Sequence, residues 1–352
     1  MNQEGRVSAR ARRPTIADVA RLAETSRGTV SFVINDRPGV SPATRARVLE
    51  AMKTLAWTPN QLARSLSTRR AYAIGLILAR DPRALSSDPF FAPLIAGLET
   101  GLEPSGQFLV LRFARDDETE AAAYRSLTEQ HRVDGFVLSD LLREDTRPGL
   151  LDELGMPAVT LNRTEGPSSF PAVVHADEPG VVAAVEHLMA HGHRRIAHVG
   201  GPGRYLHAAR RRTAWEATMR DHGLEPGPFA EADFTAAGGV AATRSLLDLP
   251  PRQRPTAILY ANDLMAASGV AYAQQQGVRV PDDLSVIGFD DAELSGFLDP
   301  PLTSVRTDPF AWGLAAAELL IEAITSTSGT VASRAITPGT LVVRRSVAPA
   351  PD

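Results

Sequence analysis

Residues 15–52 read TIADVARLAETSRGTVSFVINDRPGVSPATRARVLEAM. Ile16, Val19, Ala20 and Ala23 recur at helical spacing behind Thr15, which suits an N-cap. Ser26 can cap a second helix starting at Arg27. Ser41 followed by Pro42 opens a third, with a cap and then proline at the first helical position. Only Glu24 and Thr25 separate the first two helices, so these must pack at a sharp angle. The result is a helix-turn-helix, whose second helix presents its first turn and outer face to the DNA major groove.

Arg27, Gly28, Ser31 and Phe32 lie on that outer face, and Thr29 and Asn35 are placed to reach phosphates, where a short hydroxyl or amide positions a protein without reading sequence. The cap residues Thr15 and Ser26 complete this DNA-binding set. Phe32 is unusual: at about 100° per residue it points away from Val30, Val33 and Ile34, the core side of its own helix. A fourth segment, WTPNQLARSLSTRR (57–70), offers Asn60 as a cap for the short helix QLARSL. So short a helix is unstable alone in water, so it should order on contact with a partner.

Charge supports a polyanion at this end. Residues 1–70 carry 13 basic side chains against five acidic ones, leaving 24 basic and 36 acidic for the remainder. A basic head on an acidic body separates a nucleic-acid contact from some other task. The 352 residues, 43% of them hydrophobic, suffice for two or three domains, and with no cysteine the fold must be stabilised by burial alone. The start MNQEGRVSARARR (1–13) has no apolar export core, and runs such as AIGLILA (73–79) are too short to span a bilayer. We expect a soluble, cytoplasmic protein associated with the nucleoid, without membrane contact.

From Ala73 onward short apolar strands alternate with helices: AIGLIL (73–78), FLVLRFA (108–114), DGFVLS (134–139), AVTLN (158–162), AVVHAD (172–177), RIAHVGG (195–201), AILYAN (257–262), LSVIGFDD (284–291) and TSVRTD (303–308). This alternation predicts parallel sheets covered by helices on both faces. Nine strands exceed what one compact sheet needs, so two α/β subdomains are expected, with a cleft at the carboxyl ends of their strands.

The run from Thr15 to Leu78, TIADVARLA, SRGTVSFVINDRPGVSPATRARVLEAM, WTPNQLARSLST and IGLI, resembles the N-terminal signature of the lactose-repressor (LacI/GalR) family of bacterial transcription regulators. The resemblance implies a basic tail (1–14), an all-α helix-turn-helix headpiece (15–58) and a hinge helix and linker (59–70). Leu66 would wedge between base pairs in the minor groove beside Ala63, or pack on its own helix. It further implies an α/β periplasmic-binding-protein-like core of two doubly wound parallel-sheet subdomains (71–352). The first would hold about 71–162 and 301–325, the second about 172–293 and 334–348, with chain crossings near 162–172, 293–301 and 325–334.

By position, the resemblance marks Phe90, Phe91, Asn162, Arg211, Phe234, Asn262 and Asp290 as ligand contacts. Aromatic faces and planar charged groups suit a sugar, although Phe90 and Phe91 could be core and Asp290 a cap. The implied function is a transcriptional regulator, a repressor acting as a homodimer on palindromic operator DNA, controlled by a sugar or sugar phosphate. A nucleoside or other metabolite is the alternative effector, and a solute-binding protein the rival class. No nucleophile with an adjacent base and no metal or cofactor set is apparent, so a binding protein and not an enzyme is expected.

Two departures from the family stand out. Glu24-Thr25 replaces the usual Gly-Val, so the turn lacks the residue that tolerates positive φ best. Phe32 stands where most members carry Arg. It offers no donor to guanine and can make apolar contact with a thymine methyl, or pack against a neighbouring helix. Two further segments read as distractors: His187, His191, His193 and His198 lack the zinc-protease arrangement, and VGGPGR (199–204) fits no phosphate-loop spacing. Arg204, Arg210, Arg211 and Arg212 nevertheless make that edge basic, which leaves an acidic effector open.

Overall fold

The computed structural model describes residues 14–34, 37–58, 70–80, 88–326 and 331–351. The chain divides into two compact units, residues 1–71 and 72–352. The expectations for the N-terminal tail before residue 14, for Asn35 and for the hinge helix with Asn60, Ala63 and Leu66 lie outside the described residues.

The first unit contains α1 (Ile16–Leu22), α2 (Arg27–Ile34) and α3 (Pro42–Thr54). Val19, Ala20, Ala23, Val30, Val33, Val48 and Ala51 form its small core. The Ser41 hydroxyl accepts from the Thr44 backbone N–H at 3.2 Å, and Pro42 follows it, as the sequence predicts. Two arginines of α3 satisfy carbonyls that helix ends leave unpaired: Arg47 Nε donates to Ala23 O at 3.3 Å, and Arg45 Nη1 to Val33 O at 3.4 Å. Part of the basic charge read from the sequence is thus internal to the headpiece. The turn is made by Glu24 itself, at φ 49°. The Thr25 N–H donates to Ala20 O and the Glu24 N–H to Arg21 O, a Schellman closure that places a non-glycine residue in the left-handed region.

In the second unit, one sheet is built from β1 (Ala73–Leu78), β2 (Phe108–Phe113), β3 (Gly135–Leu138), β4 (Ala158–Leu161), β5 (Ala172–Val174) and β11 (Arg334–Ala335). The other contains β6 (Ile196–Gly200), β7 (Phe229–Glu231), β8 (Ala257–Tyr260), β9 (Ser285–Asp290), β10 (Thr303–Arg306) and β12 (Thr340–Val342). Their orders, β11-β5-β4-β3-β1-β2 and β12-β10-β9-β8-β6-β7, repeat one doubly wound pattern, and every pairing is parallel except β10 with β12. β1, β3 and β4 are buried along their whole length, which is why they read as unbroken apolar runs instead of alternating. Between the strands run α4 (Phe91–Leu102), α5 (Asp117–Glu129), α6 (Arg147–Glu153), α7 (Glu178–Ala190), α8 (Leu206–Asp221), α9 (Ala236–Leu247), α10 (Asp263–Gln275) and α11 (Pro309–Thr325).

The chain crosses between the subdomains three times, and each crossing falls later than the sequence suggests. β5 pairs with β4 through Thr160↔Ala172 and Leu161↔Val173, so it belongs to the first sheet. β10 pairs with β9 and belongs to the second. The crossings therefore fall between residues 174 and 178, 306 and 309, and 335 and 340. A strand's composition does not record which sheet will accept it, because the deciding hydrogen bonds are long-range. β7, β11 and β12, at two or three residues each, are too short to leave a periodic signal.

In the first subdomain, α4 crosses α11 at backbone contact. A Cβ at Gly97 would lie 2.0 Å from Phe310 O, and one at Gly313 2.1 Å from Leu94 O. This fixes where the third long segment returns to the first sheet. In the headpiece, glycine at position 24 would relieve a left-handed conformation costing roughly 1–2 kcal/mol, partly offset by glycine's greater unfolded-state freedom of about 0.5–1 kcal/mol. Glu24→Gly should therefore leave the headpiece equally stable or stabilise it by up to about 1.5 kcal/mol, read from amide hydrogen exchange of α1 and α2. Faster exchange in the variant would show that Glu24 is not strained.

Candidate functional site

A cavity of about 520 Å³, counting the space at its mouth, lies where the carboxyl ends of both sheets face each other. Strand order reverses between β1 and β3 in one sheet and between β6 and β8 in the other, which are the switch points where open α/β sheets leave a crevice. Arg80 follows β1, Ser139 and Asp140 follow β3, and Ala261 and Asn262 follow β8, and all of them line the cavity.

Of the sequence-predicted contacts, Phe90, Phe91, Arg211, Phe234, Asn262 and Asp290 lie on the cavity wall. Asn162 does not: at φ 77°, its Oδ1 accepts from the His175 backbone N–H at 2.8 Å, so its amide stabilises a strand-end turn. Phe91 is 1% exposed and belongs mainly to the core. Both ends of the Asn262 amide are engaged within the protein, as its Oδ1 caps Met265 N–H at 2.9 Å and its Nδ2 donates to Phe234 O at 3.1 Å.

Sequence reasoning missed Arg80, Asp88, Ser139, Asp140, His207 and Trp312 on the same wall. Arg80, Ser139 and Asp140 were legible as strand-end residues by the switch-point rule. His207 and Trp312 reach in from α8 and α11, and only packing aims them there.

The charges sort into paired and free. Arg80 donates from Nε and Nη2 to the two Asp140 oxygens at 2.6 and 2.8 Å. Burial opposes ionisation of Asp140, but Arg80 overrides it and keeps the carboxyl below its ordinary range. Arg211 donates to Asp177 Oδ2 and to Ala261 O, both at 2.8 Å, with its guanidinium 3.6 Å over the Phe289 ring. Asp290, in contrast, has no hydrogen-bond partner for its carboxylate among the described residues. Burial pushes its pKa well up, with Arg211 opposing and Asp88 adding to the rise. Burial also raises Asp88. His207 is pushed down to about 4 by burial and then by Arg211, so its ring is neutral at pH 7. The Ser139 hydroxyl is buried without a partner among the described residues.

Asp290, His207 and Ser139 thus present unmet hydrogen-bonding capacity beside Phe90 and Trp312, whose rings meet edge to face at 6.1 Å. Asp140, Phe234 and Asp290 all have positive φ, at 49°, 66° and 110°. Strain concentrated on one cavity wall is a signature of a site kept for binding. Of the basic edge, only Arg211 enters the cavity. Arg212 pairs with Glu216 at 2.9 Å, Arg204 with Asp117 at 3.7 Å, and Arg210 donates to Arg163 O.

The two distractors resolve locally. His193 bonds Thr256 and Ser285, His198 bonds Leu259 O, and the His187 and His191 rings lie 4.5 Å apart, tilted by 52°. In VGGPGR, a Cβ at Gly201 would stand 1.9 Å from the Phe234 ring, so glycine there admits an aromatic side chain.

On the headpiece, Arg27, Gly28 and Phe32 are exposed, while Thr29 and Ser31 are half-buried. Ser26 caps α2 through Thr29 N–H at 3.0 Å and shares a hydrogen bond with the Thr29 hydroxyl. The Thr15 N–H and hydroxyl both donate to Asp18. Phe32 is 41% exposed, outside the headpiece core, with the Arg37 guanidinium 5.8 Å from its ring centre.

Comparison with known proteins then decides the family. Residues 15–60 match the model for bacterial regulatory proteins of the lacI family, and residues 185–347 a periplasmic binding protein-like domain. The regulator CelR of Thermobifida fusca is 37% identical over 320 residues, covering 90% of this chain and 93% of that one. The chain belongs to the LacI family. The repressor PurR of Aliivibrio fischeri (strain MJ11) is 33% identical, covering 88% and 91%. Among solved structures, a lac repressor dimer bound to operator and the anti-inducer ONPF superposes with a TM-score of 0.81 at 28% identity, covering 96% of this chain and all of that one. A CelR–cellobiose complex superposes at 0.72 with 34% identity, covering 95% and 100%. As a LacI-family member the protein is a DNA-binding transcriptional regulator with a periplasmic-binding-like effector core. Among the described residues, no helix is long and apolar enough to cross a membrane.

Asp290 allows a stability test of this site. Its raised pKa means that it favours the fold while protonated, below the ordinary carboxylate range, and that this contribution is lost as pH rises through the raised folded value. Asp290→Asn should therefore be more stable than wild type at pH 7–8, by on the order of 1.4 kcal/mol for every tenfold by which folding tightens the carboxylate's hold on its proton. The gap should close on acidification, when both side chains are neutral. Melting temperatures of the two proteins across pH 4–8 check this. A variant less stable than wild type throughout that range would mean that the Asp290 carboxylate is satisfied in the fold.

Proposed function

We propose that the protein is a homodimeric repressor that binds palindromic operator DNA and is controlled by a neutral carbohydrate in the cleft. The observation that supports this most is the charge balance of the cavity. Arg80 is bonded to Asp140 and lies 3.8 Å from Asp88, and Arg211 is bonded to Asp177, so neither guanidinium is left free to pair with an anion. A phosphate or carboxylate would have to displace one of these carboxylates. Hydroxyl groups would find acceptors at Asp290 and at one His207 nitrogen, and the Ser139 hydroxyl could serve in either role. Phe90 and Trp312 supply apolar surface for the C–H face of a sugar ring. Arg204, Arg210 and Arg212, the remaining arginines of the basic edge, are engaged elsewhere, which removes their support for an acidic effector.

The effector would act through the cleft. Leu206 N–H donates to Leu141 O at 2.8 Å and Arg143 N–H to Arg204 O at 3.1 Å, joining the two subdomains. The ligand changes operator affinity only as far as it binds one arrangement better than another. Dimerisation draws support from large apolar side chains left exposed on the second unit: Phe108, Leu294, Phe297 and Val343. A regulator of this kind works in the cytoplasm, on the nucleoid.

Two measurements test the reading. In thermal-shift screening of neutral sugars, sugar phosphates and nucleosides, neutral sugars should raise the melting temperature, by about 2.7 kcal/mol of stability at 100 times Kd. The same ligand should change the affinity of two chains for one palindromic duplex. A response confined to phosphorylated compounds or nucleosides would reject the carbohydrate assignment. For the headpiece, selection of binding sites from random DNA should yield a thymine opposite Phe32, and Phe32→Arg should move that position toward guanine. Identical selected sites for both proteins would remove Phe32 from base reading.

A further inference from the structure

Asp263, the first residue of α10, is 3% exposed, and no basic side chain pairs with it among the described residues. An acid at a helix start often serves only the helix dipole, from the surface. This one is turned into the protein. Its Oδ1 accepts from the Ser304 hydroxyl at 2.6 Å, and its Oδ2 from the Ala292 N–H at 2.7 Å and the Ser295 hydroxyl at 2.6 Å. The neighbouring strand leaves room for it, since a Cβ at Gly288 would stand 2.1 Å from Oδ1. Burial pushes its pKa up to about 6 against the pull of these three donors. A buried carboxylate without a countercharge is costly. What the fold gains from it is the geometry of the segment it holds.

That segment is the carboxyl end of β9. Asp290 and Asp291 follow one another at φ 110° and 54°, two successive non-glycine residues in the left-handed region. Such a turn persists only where its surroundings over-determine it. The Asp291 N–H donates to Ser304 Oγ at 3.1 Å, and the same hydroxyl donates to Asp263. The next N–H, that of Ala292, goes to Asp263 directly. The Asp291 carboxylate is ion-paired with Arg306 at 2.7 Å and Arg344 at 2.6 Å. Asp290 alone of the two lies on the cavity wall. The direction of its carboxylate is therefore set by backbone hydrogen bonds that end on Asp263, a residue that does not itself line the cavity.

We propose that Asp263 is a positioning residue of the effector site: directly and through Ser304 it holds the Asp290–Asp291 turn left-handed, and so aims the Asp290 carboxylate at the ligand. This rests on the reading of the cavity as the effector site with Asp290 as an acceptor, and adds to it the group that makes the acceptor available.

The test titrates the full chain calorimetrically with neutral sugars, sugar phosphates and nucleosides. The tightest wild-type binder is then used on Asp263→Ala, Asp263→Asn, Ser304→Ala and Asp290→Ala, and on Asp290→Ala combined with each of the other two alanine variants. Operator binding, measured alongside, checks folding. Asp263→Ala and Ser304→Ala should each weaken effector binding by about tenfold or more, because each leaves a donor of the turn unpaired. Added to Asp290→Ala, the same changes should alter binding by no more than about twofold, since no carboxylate is left to aim. Asp263→Asn should lose much less than Asp263→Ala: its oxygen still accepts from Ala292 and Ser295, and its amide can donate to Ser304 Oγ. Equal losses with and without the Asp290 carboxylate overturn the proposal, because they show a general loosening of the cleft. Asp263→Asn as weak as Asp263→Ala also overturns it, by assigning the effect to charge. If Asp263→Ala does not bind operator, Ser304→Ala and its double variant decide. A tightest binder that is not a carbohydrate rejects the carbohydrate assignment, and the positioning role is then decided with that ligand. Wild-type affinity in Asp290→Ala, or no binding of any compound to wild type, rejects the effector reading of this wall and the proposal with it.

Discussion

The buried ion pair between Asp177 and Arg211 is the contact on which the architecture of the core turns. Asp177 sits at the first chain crossing and Arg211 on a helix of the second subdomain, and their 2.8 Å hydrogen bond joins hinge to cavity. Burial opposes the charge on Asp177, yet Arg211 and the His175 ring, bonded at 2.9 Å, hold its carboxyl below the ordinary range. His175 in turn lies 5.3 Å from the Trp312 ring, whose Nε1 donates to Val173 O. A chain of hydrogen-bonded and packed groups thus runs from the crossing to the cavity wall. Removing one partner would leave a buried charge in apolar surroundings, so the pair specifies this geometry more than it adds net stability.

Around that frame the cavity keeps groups with unmet hydrogen-bonding capacity. Asp290, His207 and Ser139 are held at the surface of a crevice without partners among the described residues, and three wall residues adopt backbone angles that favour glycine. A fold optimised for stability alone would remove both features. Their retention where the carboxyl ends of two sheets converge is the physical mark of a binding site.

The headpiece shows the same division on a smaller scale. Its core of small aliphatic residues and its helix caps follow directly from the sequence. At Glu24, where glycine would serve the turn best, the tertiary fold imposes a left-handed φ on a residue ill suited to it. Phe32 is left outside the core with Arg37 over its ring, so the face its helix turns outward has an apolar centre in a basic setting.

The sequence by itself determined the class of each region. Hydroxyl caps and aliphatic spacing specify the three headpiece helices, and alternating apolar strands and helices specify a doubly wound core, because local propensity and periodicity are carried by neighbouring residues. Strand-end position and family resemblance together marked six of the seven candidate contacts as residues that reach the cavity wall. Only the tertiary structure decided where the chain crosses between sheets, because β5 and β10 are assigned by hydrogen bonds to strands distant in sequence. It alone removed Asn162 from the wall and brought His207 and Trp312 onto it. It also paired Arg80 with Asp140 across 60 residues, turning a strand-end arginine into the wall of a pocket.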